Sequence, residues 1–269
     1  MRRPRSLATS LALTALLVGC SGAGPGSPSG SASATNLTIY AAASLRVAMD
    51  ELSAAYAVTA PDVHLTVSTD SSAALETKIE QGAPVDVFLS ADRTNPQELV
   101  DAGLADGTVV TFTANRLVVI VPGDNSARIS SPRDLARRGI KVIAAGDSVP
   151  ITKYANQVVA ALAKQQGYPG DFVARYEENV VSKEDNVAAV VAKIGLGEGD
   201  AGIVYETDAR TSTELVTVAI PRTANVVAMY GGLVLAGSPH LDAARAFLRW
   251  LMDPEAQGIL RSLGYLPPP

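Results

Sequence analysis

The chain has 269 residues, 47% of them hydrophobic and only 5% aromatic, with 22 Lys and Arg against 27 Asp and Glu. This size and apolar content suffice for one large α/β unit or two lobes, and the net charge of −5 argues against nucleic acid as a partner. Two histidines and one cysteine exclude an intramolecular disulfide and leave little for a protein-ligated metal cation such as zinc.

The N-terminal segment predicts export and lipid anchoring. Three arginines in the first five residues precede an apolar stretch at 7–18, which as a helix would be about 18 Å long and too short to cross a bilayer. We interpret 1–19 as a signal peptide. The stretch ends in Leu17-Val18-Gly19-Cys20, which resembles a bacterial lipobox. Cys20 is therefore expected to carry the lipid, because the alternative, a free exposed thiol, is a liability in an exported protein.

Residues 20–35 form the predicted lipidated cysteine and tether. From Ser21 onward this segment is almost wholly Ser, Gly, Ala and Pro, with no charged residue. Such a composition is typical of a flexible linker with a reach of roughly 20 Å. Without the three arginines of the signal peptide, the chain keeps 19 basic and 27 acidic residues, a formal charge of −8. The globular body is expected to begin near Asn36.

The first part of the body alternates short apolar runs with longer amphipathic patterns. The predicted strands are 37–40, 64–68 and 85–89, and the predicted helices are 44–57, 71–80 and 96–102. This βαβαβα order predicts a parallel sheet. Ligands of such sheets bind beyond the carboxyl ends of the strands.

A second series of elements follows. Strands are predicted at 116–121, 141–145 and 202–205, helices at 151–165, 187–194, 241–252 and 254–263, and a long apolar run spans 225–235. The simplest arrangement is two lobes joined by extended crossovers near 112–117 and 221–228. The first lobe would comprise 36–114 plus 226–269, with the C-terminal helices returning to it, and the second lobe 115–225.

Two serine-bearing turns stand out in this arrangement. Ser44 in Ala41-Ala42-Ala43-Ser44-Leu45 and Ser72 in Ser71-Ser72-Ala73-Ala74-Leu75 both lie where a strand gives way to a helix. Hydroxyl groups and unpaired backbone N–H groups at such positions can hold a small anion. The alternative is that both serines are ordinary N-caps of their own helices.

Four segments together resemble a known family. They are Tyr40 to Leu45 (YAAASL), Gly82 to Asp92 (GAPVDVFLSAD), Gly146 to Tyr154 (GDSVPITKY) and Gly202 to Tyr205 (GIVY). Their order and separations over residues 37–267 are similar to those of the molybdate-binding lipoproteins and periplasmic proteins of ABC importers. The resemblance implies an α/β, two-lobed periplasmic-binding-protein fold of type II. Each lobe would be a mixed, mostly parallel sheet flanked by helices, with the ligand cleft between the lobes.

The resemblance also implies the binding site. Five groups would donate hydrogen bonds to one tetrahedral oxyanion: the hydroxyls of Ser44, Ser72 and Tyr205 and the backbone N–H groups of Ile151 and Val187. The ligand would be molybdate, and also tungstate, held as cargo with no cofactor. The protein would be a monomer that delivers this cargo to the membrane permease of an ABC importer. Three residues depart from the expected pattern: Ile151 and Thr152 are bulkier, and Asp70 is expected to point outward.

The chemistry of the donors agrees with such a ligand. Molybdate, tungstate and sulfate are fully deprotonated dianions at neutral pH, so their site needs only donors, whereas protonated phosphate would require a carboxylate acceptor. Another oxyanion, such as sulfate or phosphate, is the alternative ligand. Apolar Ile151 and Val187 could also be ordinary helix-face residues, and Tyr205 a core aromatic.

A secreted serine hydrolase is a less favoured interpretation. Gly146-Asp147-Ser148 matches the GDS of one hydrolase family, but the C-terminal Asp-x-x-His that accompanies it is absent and no Gly-x-Ser-x-Gly occurs. Asp86 and Asp92 flank a strand like an acid pair, yet they are expected to be turn and capping groups. The sequence therefore predicts a binding protein and not an enzyme.

Overall fold

The computed structural model describes residues 34–269, so the predicted signal peptide, Cys20 and nearly all of the tether lie outside the described residues. The strands are β1 Thr35–Ala42, β2 Val63–Asp70, β3 Val87–Ser90, β4 Ala105–Asn115, β5 Leu117–Pro122, β6 Val142–Ala145, β7 Val180–Glu184, β8 Gly202–Tyr205, β9 Leu215–Val218 and β10 Ala228–Leu235. The helices are α1 Arg46–Thr59, α2 Ser72–Glu80, α3 Thr94–Asp101, α4 Pro150–Leu162, α5 Phe172–Glu178, α6 Val187–Gly195, α7 Glu206–Ala209, α8 Leu241–Trp250 and α9 Pro254–Ser262. Within this part of the chain, no helix is both long and apolar enough to cross a membrane.

A five-stranded sheet in the order β2-β1-β3-β10-β4 contains the first four strands of the described chain and the last one, β10. Strand β1 pairs in parallel with β2 and β3, as the βαβαβα pattern predicts, and β10 pairs antiparallel with β3 and β4. The C-terminal helices return to this sheet, where Phe247 and Trp250 of α8 pack their rings against Tyr56 of α1 at centroid distances of 5.0 and 4.9 Å.

The strands between β4 and β10 form two smaller sheets. Strand β5 is central in the order β8-β5-β9 and is antiparallel to both neighbours, whereas β6 and β7 pair in parallel. The pairing is therefore mixed, with more antiparallel pairs than the predicted mostly parallel sheets contain. The four antiparallel pairs all involve β5 or β10, the strands that follow the two crossovers.

The two crossovers lie side by side. Residue 116 separates β4 from β5, and residues 219–227 lead from β9 to β10. The side chain of Asn225 accepts from the N–H of Leu117 at 3.1 Å and donates to its carbonyl at 2.8 Å. This pair of hydrogen bonds ties the two crossovers together.

Five elements have no counterpart among the predicted ones: α5, β7, α7, β9 and β4, of which only the last residues lie in a predicted crossover. These elements are short or partly exposed: β7 and the first half of β4 keep intermediate or exposed residues along their length, and α5 has only seven residues. A strand that buries little apolar surface carries a weak periodic signal. Most of the predicted elements match the observed bounds to within about two residues, the usual uncertainty at element ends.

Candidate functional site

A small cavity lies where the carboxyl ends of β1 and β2 face the N-termini of α4 and α6. One wall consists of residues 42–44, 71–72 and Ala91, and the other of 149–151, 186–187 and Tyr205. All five residues that the sequence predicts as ligands therefore line one cavity.

Ser44 belongs to the wall that follows β1. It lies in a single 3-10 turn before α1, is 7% exposed, and makes no capping hydrogen bond to either helical segment. Its Oγ lies 2.9 Å from the hydroxyl of Tyr230, and its carbonyl accepts from the hydroxyl of Tyr265 at 2.6 Å. The N-cap interpretation of Ser44 is therefore wrong, because its hydroxyl is held by the distant β10.

Ser72 is the first residue of α2, and Ser71 takes the N-cap position. The Oγ of Ser72 accepts a hydrogen bond from the N–H of Ala91 at 3.0 Å, across the end of β3. Because a serine hydroxyl has one proton and two lone pairs, accepting from Ala91 leaves that proton free to be donated into the cavity. Ser72 is 1% exposed and does not cap its own helix.

Ile151 and Val187 lie in the first turns of α4 and α6. Backbone N–H groups of a first turn have no partner within their helix and carry the positive end of the helix dipole. Both side chains are buried in the main core, at 2% and 4% exposure. The two interpretations are thus compatible, since the side chain packs in the core while the backbone N–H of the first turn has no partner within its own helix.

Tyr205 closes the cavity at the end of β8. It is 1% exposed, and its hydroxyl oxygen is buried with no hydrogen-bond partner among the described residues. Burial raises the pKa of Tyr205 well above its usual value, so its hydroxyl stays a neutral donor. An unsatisfied buried hydroxyl costs about 1–3 kcal/mol, which a hydrogen-bond acceptor in the cavity would recover.

Of the three residues that depart from the family pattern, Ile151 lines the cavity and Thr152 and Asp70 do not. Thr152 turns its hydroxyl back to the carbonyl of Ala145 at 2.9 Å and does not line the cavity. Asp70 also stays out of the lining, and its carboxylate accepts from the N–H of Ser71 at 2.8 Å and from Lys78 at 3.0 Å. Burial alone would raise the pKa of Asp70, but these hydrogen bonds outweigh it and hold the pKa below the usual value. No carboxylate or cation therefore lines this cavity.

Asp92 is a local turn and capping group, as expected, whereas Asp86 accepts from residues that are distant in the sequence. Asp86 accepts from the N–H of Thr38 at 2.7 Å and from the hydroxyl of Ser238 at 2.5 Å, and Asp92 accepts from the N–H of Asn95 at 3.1 Å. The ring of His240 lies 3.3 Å from the same Asp86 oxygen. Because the Ser238 hydroxyl donates to the carboxylate and not to the imidazole, this trio is not a nucleophile–base pair.

A second, wider cavity of about 880 Å³ adjoins the small one and shares Ser71, residues 149–150 and Asn186 with it. The sequence pattern does not predict the many charged side chains that line this cavity. It is lined by two lysines, Lys153 and Lys183, and by seven carboxylates, namely Asp70, Glu76, Asp92, Glu98, Asp147, Glu184 and Asp185. Burial, with a hydrogen bond and charge repulsion from Glu98, raises the pKa of Glu76 to about 7. Among residues 34–269, no group of three or more His, Cys, Asp or Glu side chains is arranged to hold a metal ion.

Two contacts join the walls of the wider cavity. The amide of Asn186 donates to Asp70 at 3.4 Å, and the ammonium group of Lys153 donates to the hydroxyl of Thr94 at 2.7 Å. Each contact connects the five-stranded sheet region with the region between the crossovers. A two-lobed α/β fold with a donor-lined cavity between its lobes defines the class of solute-binding proteins.

Comparison with known proteins agrees with this class. The family model of bacterial extracellular solute-binding proteins matches residues 37–266. The molybdate-binding protein ModA of Mycobacterium tuberculosis is 30% identical over 268 residues, which cover 97% of this chain and 98% of that protein. The chain therefore belongs to the family of bacterial extracellular solute-binding proteins, and the resemblance that its four motifs indicate is confirmed.

Solved structures show the same fold. The periplasmic molybdate-binding protein of Azotobacter vinelandii superposes with a TM-score of 0.74 at 22% identity, covering 87% of this chain and all of that one. The sulfate-binding protein SubI of Mycobacterium tuberculosis superposes with a TM-score of 0.77 at 23% identity, covering 87% of each chain. Because these identities are low, the two structures support the two-lobed fold and carry no argument about the ligand.

Proposed function

We propose that this protein is an extracytoplasmic binding lipoprotein that captures molybdate, and also tungstate, and delivers it to an ABC importer. The single observation that carries this proposal is the buried hydroxyl of Tyr205, which has no partner among the described residues and lines a cavity that also holds Ser44, Ser72, Ile151 and Val187. The identity of 30% to a molybdate-binding protein over nearly the whole chain supports the same ligand.

The donors match the chemistry of a fully deprotonated oxyanion. Three hydroxyls and two first-turn N–H groups can each donate one hydrogen bond to it, and the helix N-termini contribute favourable potential. No carboxylate lines the cavity, so a protonated oxyanion would find no charged acceptor for its proton. A fixed ring of donors fits one anion radius best, and this favours the larger molybdate and tungstate over sulfate.

Capture would proceed by closure of the two lobes on the anion. Ser44 and Ser72 belong to the proposed first lobe, residues 36–114 plus 226–269, and Ile151, Val187 and Tyr205 to the proposed second lobe, residues 115–225. The ligand would stabilise the closed state because it contacts both lobes at once. The contacts of Asn186 with Asp70 and of Lys153 with Thr94 would add to the closed state.

The proposed location is the outer face of the cell membrane. Lipidation of Cys20 would anchor the protein, and the Ser- and Gly-rich tether would let the binding body reach a permease. The protein would act there as a monomer, without a cofactor and without catalysis.

Calorimetric titration of the purified protein with molybdate, tungstate, sulfate and phosphate at matched ionic strength tests the ligand. We expect one-to-one, tight binding of molybdate and tungstate and a weak response to sulfate and phosphate. Tight binding of sulfate or phosphate alone would keep the transport role and overturn the ligand. No binding of any of the four anions would overturn the proposed function.

A further inference from the structure

We infer that Tyr230 and Asn115 are specificity-determining positioning residues, which turn the hydroxyl of Ser44 into an obligate donor and so select deprotonated oxyanions over protonated ones. This inference rests on the proposed function, because it concerns the same cavity. Neither residue lines that cavity, and both are fully buried behind Ser44.

The direction of the hydrogen bonds begins at Asn115. Its Oδ1 accepts from the N–H of Arg116 at 2.9 Å, and since a backbone N–H can only donate, this contact identifies the oxygen of the amide. The amide nitrogen must then face the other way. It donates to the hydroxyl of Thr207 at 2.8 Å and to that of Tyr230 at 3.5 Å.

Tyr230 passes this direction on to Ser44. Among the described residues, two side-chain groups lie within hydrogen-bonding distance of its hydroxyl: the amide nitrogen of Asn115, which can only donate, and the Oγ of Ser44 at 2.9 Å. The Oγ of Ser44 is therefore the one acceptor available to the Tyr230 proton. Burial raises the pKa of Tyr230 well above its usual value, so the hydroxyl keeps its proton. The Oγ of Ser44 is therefore the acceptor in this contact, and the proton of Ser44 is left to point into the cavity.

The second serine is directed in the same way by a different group. The Oγ of Ser72 accepts from the N–H of Ala91, which is a backbone group and cannot be removed by substitution. Ser44 depends instead on a side chain that lies 186 residues away in the sequence. A single substitution at Tyr230 can therefore change the direction in which the Ser44 hydroxyl donates its proton.

The direct test is Tyr230→Phe, which keeps the ring and its edge contacts with Phe112, Tyr205 and Tyr265. The Ser44 hydroxyl can then rotate and accept a proton from a protonated anion. We expect molybdate affinity to fall about tenfold, as for one misdirected hydrogen bond to a charged group. Affinity for inorganic phosphate should stay the same or rise, so the ratio of the two affinities falls. An equal loss for both anions would overturn the inference, because a merely structural role would produce it.

Double variants test whether Tyr230 acts through Ser44. In a Ser44→Ala background, Tyr230→Phe should cause no further loss of molybdate affinity, whereas in a Ser72→Ala background the two losses should multiply. Independent losses in both backgrounds would overturn the inference.

Tyr265→Phe is the matched control. Its hydroxyl holds the carbonyl of Ser44 and not the hydroxyl, so its removal should change both anion affinities by the same factor.

A second variant covers the case in which Tyr230→Phe does not fold. Asn115→Asp has nearly the same shape and keeps the oxygen that accepts from Arg116. Its second carboxylate oxygen would accept the proton of Tyr230, so Tyr230 would in turn accept from Ser44 and the Ser44 proton would no longer be available to an anion. We expect the molybdate-to-phosphate ratio to fall here as well, and an unchanged ratio would overturn the inference. Wild-type protein that binds none of the oxyanions would instead refute the proposed function, and this result is visible before any variant is made.

Discussion

The two adjoining cavities differ in how they treat an anion. The small one contains hydroxyls and first-turn N–H groups with no charged side chain, whereas the wider one is lined by seven carboxylates and two lysines. The attraction of the small cavity acts over hydrogen-bond distances and depends on geometry. The repulsion of the wider cavity acts over several ångströms and is screened by salt.

The small cavity would therefore determine which anion binds, whereas the wider cavity would affect how fast any anion approaches. In the small cavity the anion is held by dipoles whose direction is set by the fold, so its size and protonation decide how well it binds. A cationic site would hold any anion of the right charge. Because seven carboxylates line the wider cavity, it would offer an approaching dianion little long-range attraction.

The largest effect is expected for Ser72→Ala in the small cavity. The change removes a donor to the anion and leaves the buried N–H of Ala91 without its partner. We expect oxyanion affinity to fall by about 1.5–3 kcal/mol and the free energy of unfolding by about 1 kcal/mol. Titration calorimetry and denaturant unfolding measure the two quantities. Thr77→Ala, which removes an exposed hydroxyl from the same helix, should change neither, and an equal loss there would exclude a specific role for Ser72.

Tyr205→Phe should separate affinity from stability. We expect it to weaken oxyanion binding by about 1.5–3 kcal/mol, since one donor to a charged ligand is lost. Without anion the variant should be as stable as the wild type or more stable, because a buried hydroxyl without a protein partner is removed. Thermal unfolding with and without molybdate measures both effects. A variant that is destabilised without anion and binds normally would remove Tyr205 from the site.

The wider cavity should show a pH-dependent stability. The pKa of Glu76 is raised in the folded protein from 4.5 to about 7, so the folded state binds the proton more tightly than the unfolded state. Its contribution is fully present below pH 4.5 and is lost as the pH rises through 7. Glu76→Gln should therefore gain about 1 kcal/mol of stability at pH 8 relative to wild type.

Denaturant unfolding at pH 5 and pH 8 measures this difference. Glu51→Gln, on the exposed face of α1, is the control and should gain nothing at the higher pH. A Glu76→Gln variant whose advantage is the same at both pH values would show that Glu76 does not titrate in this range.

The smallest effect is kinetic. Because the carboxylates of the wider cavity oppose an approaching dianion, the association rate constant should rise about two- to threefold between low and physiological salt. Asp147→Asn with Asp185→Asn removes two exposed charges and should raise the low-salt rate by a similar factor while leaving dissociation unchanged. Stopped-flow measurements at several salt concentrations decide this, and a rate that falls with salt would mean that the lysines dominate.

Much of the small cavity could be predicted from the chain because its groups lie at the ends of regular elements. Ser44 and Ser72 follow β1 and β2, and Ile151 and Val187 begin helices whose apolar faces are readable by periodicity. The donor function of the two serines is predicted from the hydroxyls and unpaired N–H groups at such ends, whereas Ile151, Val187 and Tyr205 are predicted from the resemblance to the family. The direction of the hydroxyls could not be predicted, since it depends on Ala91 and Tyr230, which lie on other strands.

The sequence by itself determined the alternation of elements, the two crossovers and the two serine-bearing turns, because hydrophobic periodicity and the chemistry of helix ends are local properties. The resemblance of its motifs to a family supplied the other three predicted donors. Only the tertiary structure decided that Tyr230 and Asn115 meet behind Ser44 and that carboxylates of α2 and α3 share a cavity with Asp147 and Asp185. These groups are far apart in the chain and carry no common pattern. Their proximity arises only when the sheets pack and the crossovers bring the two halves of the site together.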